Sequence, residues 1–485
     1  MKKLVSILLA LSMLFGFCVP VNAQEQPDSE AKCETLPVVI VRGMDFGGLY
    51  IDYGTENERN AIGNIDTGEI LRELAKVVGK LIFGFDVDGA MDIVLDYAYK
   101  ILEGLSVDKL GDSVYNVDVP HYSQSAENYE ALREGVTNEF GMVRACIETF
   151  DDGHTFYLNY DWRKNPLEVA DEINEAIENA IKTSGHGKVN LVCASMGGIM
   201  TVAYLTKYGY DKINRCLFMS STFCGAQVAS DLLAGRIEIT ADNLYNFVAY
   251  LVDGNKTAAF MIDGLHKLGA FDAVTKLTDY ILENYLEEAT DRILRPVVGH
   301  MLSLWGLVQT EDYDAAIDFM LDGDREGNAE FIKKTDALRE MMDNKAKLLN
   351  DMVDSGVEIA VVAHYDSPVV PVYENADFTG DGTLETYQLS GYATVAKYGE
   401  TLGDDYKATN PEYVSPDNAV DLSTALFPEY TYIIKDAPHV SCSYGTDYSK
   451  FFIWLLTYDG DFYAGACEKY PQFMKSSKEQ TLSAF

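Results

Sequence analysis

The sequence predicts an α/β fold, in which helices cover both faces of a mostly parallel β-sheet and a large helical insertion interrupts the sheet. Two observations support this prediction. Short apolar, β-branched runs alternate with amphipathic segments of helical period over residues 24–224 and again over 356–485. Between them, residues 225–355 have helical periodicity and few strand-like runs. We therefore expect two halves of one core, separated by a helical cap.

Residues 1–23 are typical of a cleaved secretory signal. Two lysines precede an apolar stretch at residues 4–17, and small residues end the segment at Ala23. A membrane anchor is an alternative, but the apolar stretch is short for a bilayer span. A lipoprotein signal at Cys18 is another, but Phe17 stands where such signals need a small residue. The expected product is a secreted chain.

The charge and the cysteines narrow the range of partners. The formal net charge is −38, which repels phosphate backbones and predicts no nucleic-acid partner. No CxxC pair occurs, so a zinc knuckle is not predicted. Pairing among the cysteines that follow residue 23, and the oligomeric state, do not follow from the sequence. These cysteines are Cys33, Cys146, Cys193, Cys216, Cys224, Cys442 and Cys467.

Six apolar runs predict the strands of the sheet, and the last of them is expected to be the final strand. They are residues 36–43, 155–162, 188–194, 213–221, 357–365 and 430–436. The best-signalled helix begins at Pro166, with Asn165 as its cap and Gly185 as its stop. A second helix is predicted over 196–208 and a closing helix over 448–458.

Ser195 stands where the predicted strand 188–194 meets the next helix. A sharp turn between a strand and a helix exposes a serine hydroxyl above the sheet and needs small residues two positions before and after it. Gly197 meets this need, and Cys193 meets it as a small apolar side chain. A plain helix start is one alternative. Cys193 as nucleophile is another, although its side chain would point into the core.

A serine nucleophile needs a histidine base and an acid, which follow it along the chain in the order serine, acid, histidine. Of seven histidines, His439 lies in the loop after the last predicted strand, where the base belongs, whereas His364 ends a strand. A surface histidine is the alternative. The backbone N–H groups of Met196 and Met44 are the candidate donors to a developing oxyanion.

The segment "FYLNYDWRKNPLEVADEINEAIENAIKTSGHGKVNLVCASMGGIM" resembles the matching stretch of lecithin–cholesterol acyltransferase-like and bacterial α/β-hydrolase lipases. Its residues 160–163 and 195–198 match the Tyr-Asp-Trp-Arg and Ser-Met-Gly-Gly patterns of that family. The resemblance covers most of residues 36–458, apart from the insertion and the region before Asp151. It implies an α/β-hydrolase fold, a carboxylic ester substrate and no cofactor.

Two positions depart from the family pattern. Arg42 stands where the family usually has histidine before the oxyanion glycine, and Cys193-Ala194 replaces the usual Gly-His or Ala-His. Neither change removes Ser195, His439 or an acid between them. We expect these two departures to affect turnover and substrate preference more than the fold.

Chain order leaves two candidates for the acid. Asp366 follows a strand end directly, whereas Asp381 lies in a glycine-flanked turn that is similar to the acid loop of the lipase family, and we favour Asp381. A third interpretation is a calcium loop over Asp377–Gln388, but Gln388 occupies the position that needs a bidentate carboxylate. Because a cation on Asp381 would compete with the imidazole N–H, no metal site is predicted.

The predicted function is that of a secreted serine hydrolase that cleaves lipid or other acyl esters and contacts lipid surfaces transiently. The insertion is expected to cap the pocket, and its apolar stretch at 296–308 forms either the inner face of a lid or ordinary core. Two further hypotheses stay open. One is an acyltransferase that uses an alcohol in place of water, and the other is a non-catalytic binding protein that keeps the fold.

Overall fold

The computed structural model describes residues 36–45, 47–63, 72–73, 76–77, 79–80, 86–134, 141–237, 245, 263–264, 266–267, 269, 284–367, 379–439 and 442–485. The predicted signal segment 1–23 lies outside these residues. So do Cys33 and the first residue of the predicted calcium loop, Asp377.

An eight-stranded sheet forms the centre of the protein, which confirms the predicted α/β fold. The strands are β1 (Val38–Val41), β2 (Thr155–Leu158), β3 (Val189–Ser195), β4 (Ile213–Ser221), β5 (Glu358–Tyr365), β6 (Thr431–Lys435), β7 (Phe473–Ser476) and β8 (Leu482–Ala484). Their spatial order is β2-β1-β3-β4-β5-β6-β7-β8. Every neighbouring pair is parallel except β7 and β8.

The expectation that residues 430–436 form the final strand is wrong, because β7 and β8 follow them. These two strands have only four and three residues and contain lysine and serine. Strands this short, lying at or next to the edge of the sheet, contain no continuous apolar run, so a hydrophobic pattern does not reveal them. Short strands also lie outside the six predicted runs, at Tyr50–Ile51, Arg59–Asn60 and Val117–Asp118.

Helices cover both faces of the sheet. They are α1 (Val87–Leu102), α2 (Glu130–Glu134), α3 (Gly141–Phe150), α4 (Pro166–Ser184), α5 (Gly197–Tyr208), α6 (Gln227–Leu233), α7 (Leu302–Trp305), α8 (Tyr313–Met320), α9 (Ala329–Asp354), α10 (Thr386–Leu389) and α11 (Asp447–Thr457), with a π-helix at Thr290–Gly299. The predicted start of α4 is confirmed, since the Asn165 side chain accepts from the Leu167 N–H. Gly185 ends the helix in the left-handed conformation, at φ 74°.

Strand β1 shows how the sheet is buried on both sides. Val39 and Val41 belong to one hydrophobic core, together with residues of α4, α5 and α9. Val38 and Ile40 belong to a second core, together with residues of α3 and α11. Alternate side chains of a strand point to opposite faces, so an apolar run without polar interruption fits a strand covered on both faces.

The described residues between 225 and 355 form helices and no strand. The last of these helices, α9, packs against α5 and leads directly into β5. It therefore serves as the crossover between the parallel strands β4 and β5. In the part of the chain that the structure describes, no helix combines the length and apolar character that a membrane span requires.

Candidate active site

Ser195 is the last residue of β3 and lies in a strained turn. Its φ is 49°, a left-handed conformation that non-glycine residues rarely adopt. Three donors hold its carbonyl oxygen, namely the Thr222 N–H at 2.9 Å, the Thr222 hydroxyl at 3.1 Å and the Ser221 hydroxyl at 3.2 Å. These bonds stabilise the strained backbone and leave the Ser195 side chain at the carboxyl edge of the sheet.

Two glycines allow the chain to approach this turn. A Cβ atom at Gly43 would lie 2.6 Å from Cβ of Ser195, and one at Gly197 would lie 2.5 Å from the Val41 carbonyl oxygen. Both distances are far below van der Waals contact. The segment after β1 and the first turn of α5 therefore meet at Ser195 only because both positions lack a side chain.

Cys193 is fully buried two residues before the serine. Its thiol donates a hydrogen bond to the Leu217 carbonyl oxygen at 3.4 Å, and burial raises its pKa to about 12. A thiol in this environment carries almost no thiolate at neutral pH. The side chain thus packs as a small apolar group and is unsuited to act as a nucleophile.

Ser195, His439 and Asp381 form one chain of hydrogen bonds, although they lie far apart in the sequence. The Ser195 Oγ is 2.8 Å from Nε2 of His439, and Nδ1 of the same imidazole is 2.6 Å from Oδ2 of Asp381. Ser195 ends β3, His439 follows β6, and Asp381 follows β5. The carboxyl ends of these parallel strands bring the three side chains to one edge of the sheet.

The Asp381 carboxylate is buried and fully engaged. Its Oδ1 accepts from the Thr383 N–H at 2.9 Å and from the Leu384 N–H at 2.7 Å, while Oδ2 contacts His439. Burial raises the pKa of Asp381, but the charge and hydrogen bond of His439 outweigh it and hold the pKa below its usual value. The carboxylate is therefore charged at neutral pH and can orient an imidazole.

Asp366, the other candidate acid, contacts different groups. Its Oδ1 accepts from the Thr379 hydroxyl at 2.7 Å, and its Oδ2 lies 3.2 Å from the Lys435 ammonium. Lys435 also binds Asp417 at 2.7 Å. Asp366 thus belongs to an ion-pair network beside β6, and the structure does not bring it to His439.

The occupied oxygens of Asp381 bear on the calcium hypothesis. Each of them already accepts from protein N–H groups, which leaves poor geometry for a cation ligand. Within the described ranges, no three histidine, cysteine, aspartate or glutamate side chains cluster in a way that could hold a metal ion. The first ligand position of the predicted loop, Asp377, is outside those ranges.

A second histidine, His364, is buried behind the Asp381–His439 pair. Its Nδ1 lies 3.1 Å from the Pro438 carbonyl oxygen and 3.1 Å from the Ser220 hydroxyl, and its Nε2 contacts the Tyr448 hydroxyl. Burial lowers its pKa to about 4, although the charge of Asp381 opposes this shift. His364 is therefore neutral at physiological pH. It contacts the residue that precedes His439.

An apolar pocket of about 460 Å³, its open mouth included, lies beside Ser195. Met44 and Met196, the candidate oxyanion donors, both line it. The insertion contributes apolar side chains from α6 and from the α7 region, and the acid loop contributes Thr383 and Leu384. The insertion residues that line the pocket are Ala226, Val228, Ala229, Leu232, Leu304 and Leu307.

The stretch 296–308 is largely buried. Trp305 is 2% exposed and packs edge-on against Tyr313 and Phe331, whereas Leu304 and Leu307 reach the pocket. The stretch therefore combines core packing with a pocket wall. Periodicity alone could not separate these roles, because both bury apolar side chains.

Two side chains hold the segment after β1, and neither role follows from the sequence. The Tyr160 hydroxyl donates to the Arg42 carbonyl oxygen at 2.8 Å, and the Trp162 indole N–H donates to the Asp45 carbonyl oxygen at 2.9 Å. The Tyr-Asp-Trp-Arg pattern marked these positions. Their acceptors are backbone atoms more than 100 residues away, with separations of 118 and 117, and no side-chain pattern reveals such partners.

This chain has a likeness to known proteins at the level of solved structures. No family model matches the chain, and no curated protein matches it. Among solved structures, the crystal structure of a Tle4–Tli4 complex contains a chain with 12% sequence identity to this one. The superposition covers 80% of this chain and 81% of that chain at a TM-score of 0.33.

Proposed function

We propose that this protein is an exported α/β-hydrolase that cleaves carboxylic esters through Ser195, His439 and Asp381. The observation that carries the proposal is the hydrogen-bond chain from the Ser195 Oγ through His439 to Asp381, at 2.8 and 2.6 Å. It lies on a strained strand–helix turn at the mouth of an apolar pocket. Export rests on the signal-like residues 1–23.

The order of the strands supports the same assignment. In the central sheet, the serine ends β3, the acid follows β5 and the histidine follows β6. This is the order of serine, acid and histidine in α/β-hydrolases. The left-handed backbone of Ser195 agrees with the strained turn on which such nucleophiles lie.

In the proposed reaction, the Ser195 Oγ attacks the ester carbonyl carbon while His439 takes the hydroxyl proton. The negative Asp381 carboxylate orients the imidazole and stabilises its protonated form. The N–H groups of Met44 and Met196 hold the oxyanion, the latter at the start of α5, where the helix dipole favours negative charge. His439 then protonates the departing alcohol, and water releases the acyl group from Ser195.

The pocket walls favour an uncharged, apolar acyl group. Among the residues that the structure describes, those that line the pocket are aliphatic, apart from three with small polar groups, and none carries a charge. An apolar acyl chain gains about 25 cal/mol per Å² of surface that it buries there, whereas a charged group would lose its hydration without a partner. The proposed substrates are therefore esters of aliphatic acids.

The test is a series of p-nitrophenyl esters from acetate to palmitate, assayed on the purified chain and on Ser195→Ala. The proposal predicts hydrolysis by the wild type, covalent labelling of Ser195 by a fluorophosphonate, and loss of both in the variant. Hydrolysis is distinguished from acyl transfer by adding acceptor alcohols and identifying the products by mass spectrometry. If the wild type neither turns over any ester nor reacts with the fluorophosphonate, the chain is a non-catalytic member of the fold.

A further inference from the structure

The backbone between residues 42 and 45, which we call the oxyanion loop, carries the Met44 N–H that the proposed mechanism needs. Two buried side chains of residues 159–163 bind its two ends. The Tyr160 hydroxyl donates to the Arg42 carbonyl oxygen at 2.8 Å, and the Trp162 indole N–H donates to the Asp45 carbonyl oxygen at 2.9 Å. Tyr160 is 0% exposed and Trp162 is 1% exposed, so water does not replace either bond easily.

These two bonds fix the peptide planes on either side of the Met44 amide. The Arg42 carbonyl belongs to the peptide that precedes Gly43, and the Asp45 carbonyl belongs to the peptide that follows Asp45. The N–H of Met44 lies between them in the chain. Gly43 lets the backbone rotate freely at that point, so the direction of the N–H depends on how firmly the two ends are held.

An ion pair ties the same two ends together. The Arg42 guanidinium lies 2.6 Å from Oδ2 of Asp45, and Oδ1 of Asp45 accepts from the Gly47 N–H at 2.8 Å. The Arg42 side chain is only 5% exposed. The oxyanion loop is thus closed by one link between its own ends and by two links to the segment before α4.

The donor segment is itself rigid. The Arg163 guanidinium binds both oxygens of Asp161, at 3.0 and 2.7 Å, and both side chains are buried. The same guanidinium donates to the Ser113 hydroxyl at 3.1 Å. A bidentate pair of this kind has little freedom to rotate. It holds the backbone that carries Tyr160 and Trp162.

We infer that Tyr160 and Trp162 are positioning residues that aim the Met44 N–H at the oxyanion. The inference rests on the proposed function, because the oxyanion exists only if Ser195 attacks a carbonyl. Burial keeps the Tyr160 pKa far above its ordinary value, so the hydroxyl remains a donor throughout the working pH range. Removing either donor frees one end of the oxyanion loop without removing any group that touches the substrate.

Tyr160→Phe is the first test, because it deletes one hydroxyl and keeps the ring. The matched control is Tyr432→Phe, since Tyr432 is equally buried and its hydroxyl also bonds a backbone carbonyl, that of Tyr463, away from the site. Trp162→Phe is the second variant and probes the other end of the loop. The readouts are kcat and KM with a soluble ester, inhibition by an alkyl boronic acid, and the melting temperature.

A boronic acid forms a tetrahedral adduct on the serine and senses the oxyanion donors directly. We expect Tyr160→Phe to lower kcat by about 10- to 100-fold and to weaken boronate binding by a similar factor, with KM within about twofold of wild type. A merely structural role would lower the melting temperature without this matched loss. Tyr432→Phe is expected to keep both kcat and boronate affinity.

The inference is overturned if Tyr160→Phe and Trp162→Phe both match Tyr432→Phe in kcat and boronate affinity while wild type hydrolyses the ester. If one variant does not fold, the other decides the question by the same criterion. Failure of the proposed function has a different signature. In that case the wild type itself shows no turnover and no fluorophosphonate adduct on Ser195.

Discussion

Two sets of histidine and aspartate lie at the carboxyl edge of the sheet, and their environments differ sharply. His439 and Asp381 bind each other, and the free imidazole nitrogen meets Ser195. His364 and Asp366, at the end of β5, each bind other groups. His364 is enclosed by Ser220, Pro438 and Tyr448, while Asp366 pairs with Lys435.

The difference teaches that residue type alone does not select the base. His364 is 1% exposed and its ring nitrogens are occupied by protein groups, so no substrate proton can reach it. The His439 side chain is 13% exposed and lies in a loop, and its Nε2 is 2.8 Å from the Ser195 Oγ. Access to the reacting atoms, together with a buried carboxylate behind the ring, makes one imidazole suitable and leaves the other structural.

The largest expected effect comes from exchanging the two histidines for glutamine one at a time. His439→Gln should lower kcat/KM by about 10⁴-fold or more, because the proton acceptor is lost. His364→Gln should change kcat/KM by less than about tenfold, since it alters only the support of Pro438. Ester assays on both variants measure the contrast. An equal loss in both would break the distinction between them.

The two aspartates should separate almost as widely. Asp381→Asn is expected to lower kcat by about 10⁴-fold, because an amide favours the wrong imidazole tautomer and cannot stabilise its protonated form. Asp366→Asn should keep activity within about tenfold. If only Asp366→Asn loses its activity, the acid has been misassigned. Adding EDTA to wild type provides the metal control, and activity lost to the chelator and restored by calcium would favour the cation hypothesis.

The buried His364 predicts a pH dependence of stability. Its pKa is about 4 in the folded protein, against an ordinary value of 6.5. Between those values the unfolded chain binds a proton that the folded chain does not, so the free energy of unfolding falls as pH falls from 6.5 to 4. The expected loss is about 3 kcal/mol at about 1.4 kcal/mol per pH unit.

Urea unfolding of wild type and His364→Gln at several pH values measures this contribution. The acidic groups of the chain titrate in both proteins, so the difference between the two curves isolates the histidine. The free energy of unfolding of wild type minus that of His364→Gln should increase from pH 4 to pH 6.5 and then level off. Parallel curves would mean that His364 is not held neutral by the fold.

The smallest effect is expected at the ion pairs beside Asp366. Lys435→Met should lower the free energy of unfolding by about 1–2 kcal/mol, because Asp366 and Asp417 lose a half-buried partner. Activity should stay within about twofold of wild type. The control is Lys450→Met, whose 58%-exposed side chain pairs with Asp447 and should contribute almost nothing. If Lys435→Met lowered activity by more than about twofold, this network would be linked to the site.

Much of the fold was predictable because its signals are local. The strand–helix alternation, the start of α4 at Pro166 and its stop at Gly185 follow from periodicity and capping within short windows. The strands β7 and β8 were missed, since they have only four and three residues and polar side chains interrupt them. The residues of the candidate site were named from chain order and resemblance, but their contacts were not.

The sequence by itself determined which residues are chemically suited to the site and which elements carry them. A serine between a buried strand and a glycine, followed by an acid and a loop histidine, is a one-dimensional pattern. Only the tertiary structure decided that Asp381 contacts His439, that His364 is enclosed, and that Tyr160 and Trp162 hold the oxyanion loop. The physical reason is that hydrogen bonding and burial depend on distances between segments, which the packing of the strands sets and no local pattern encodes.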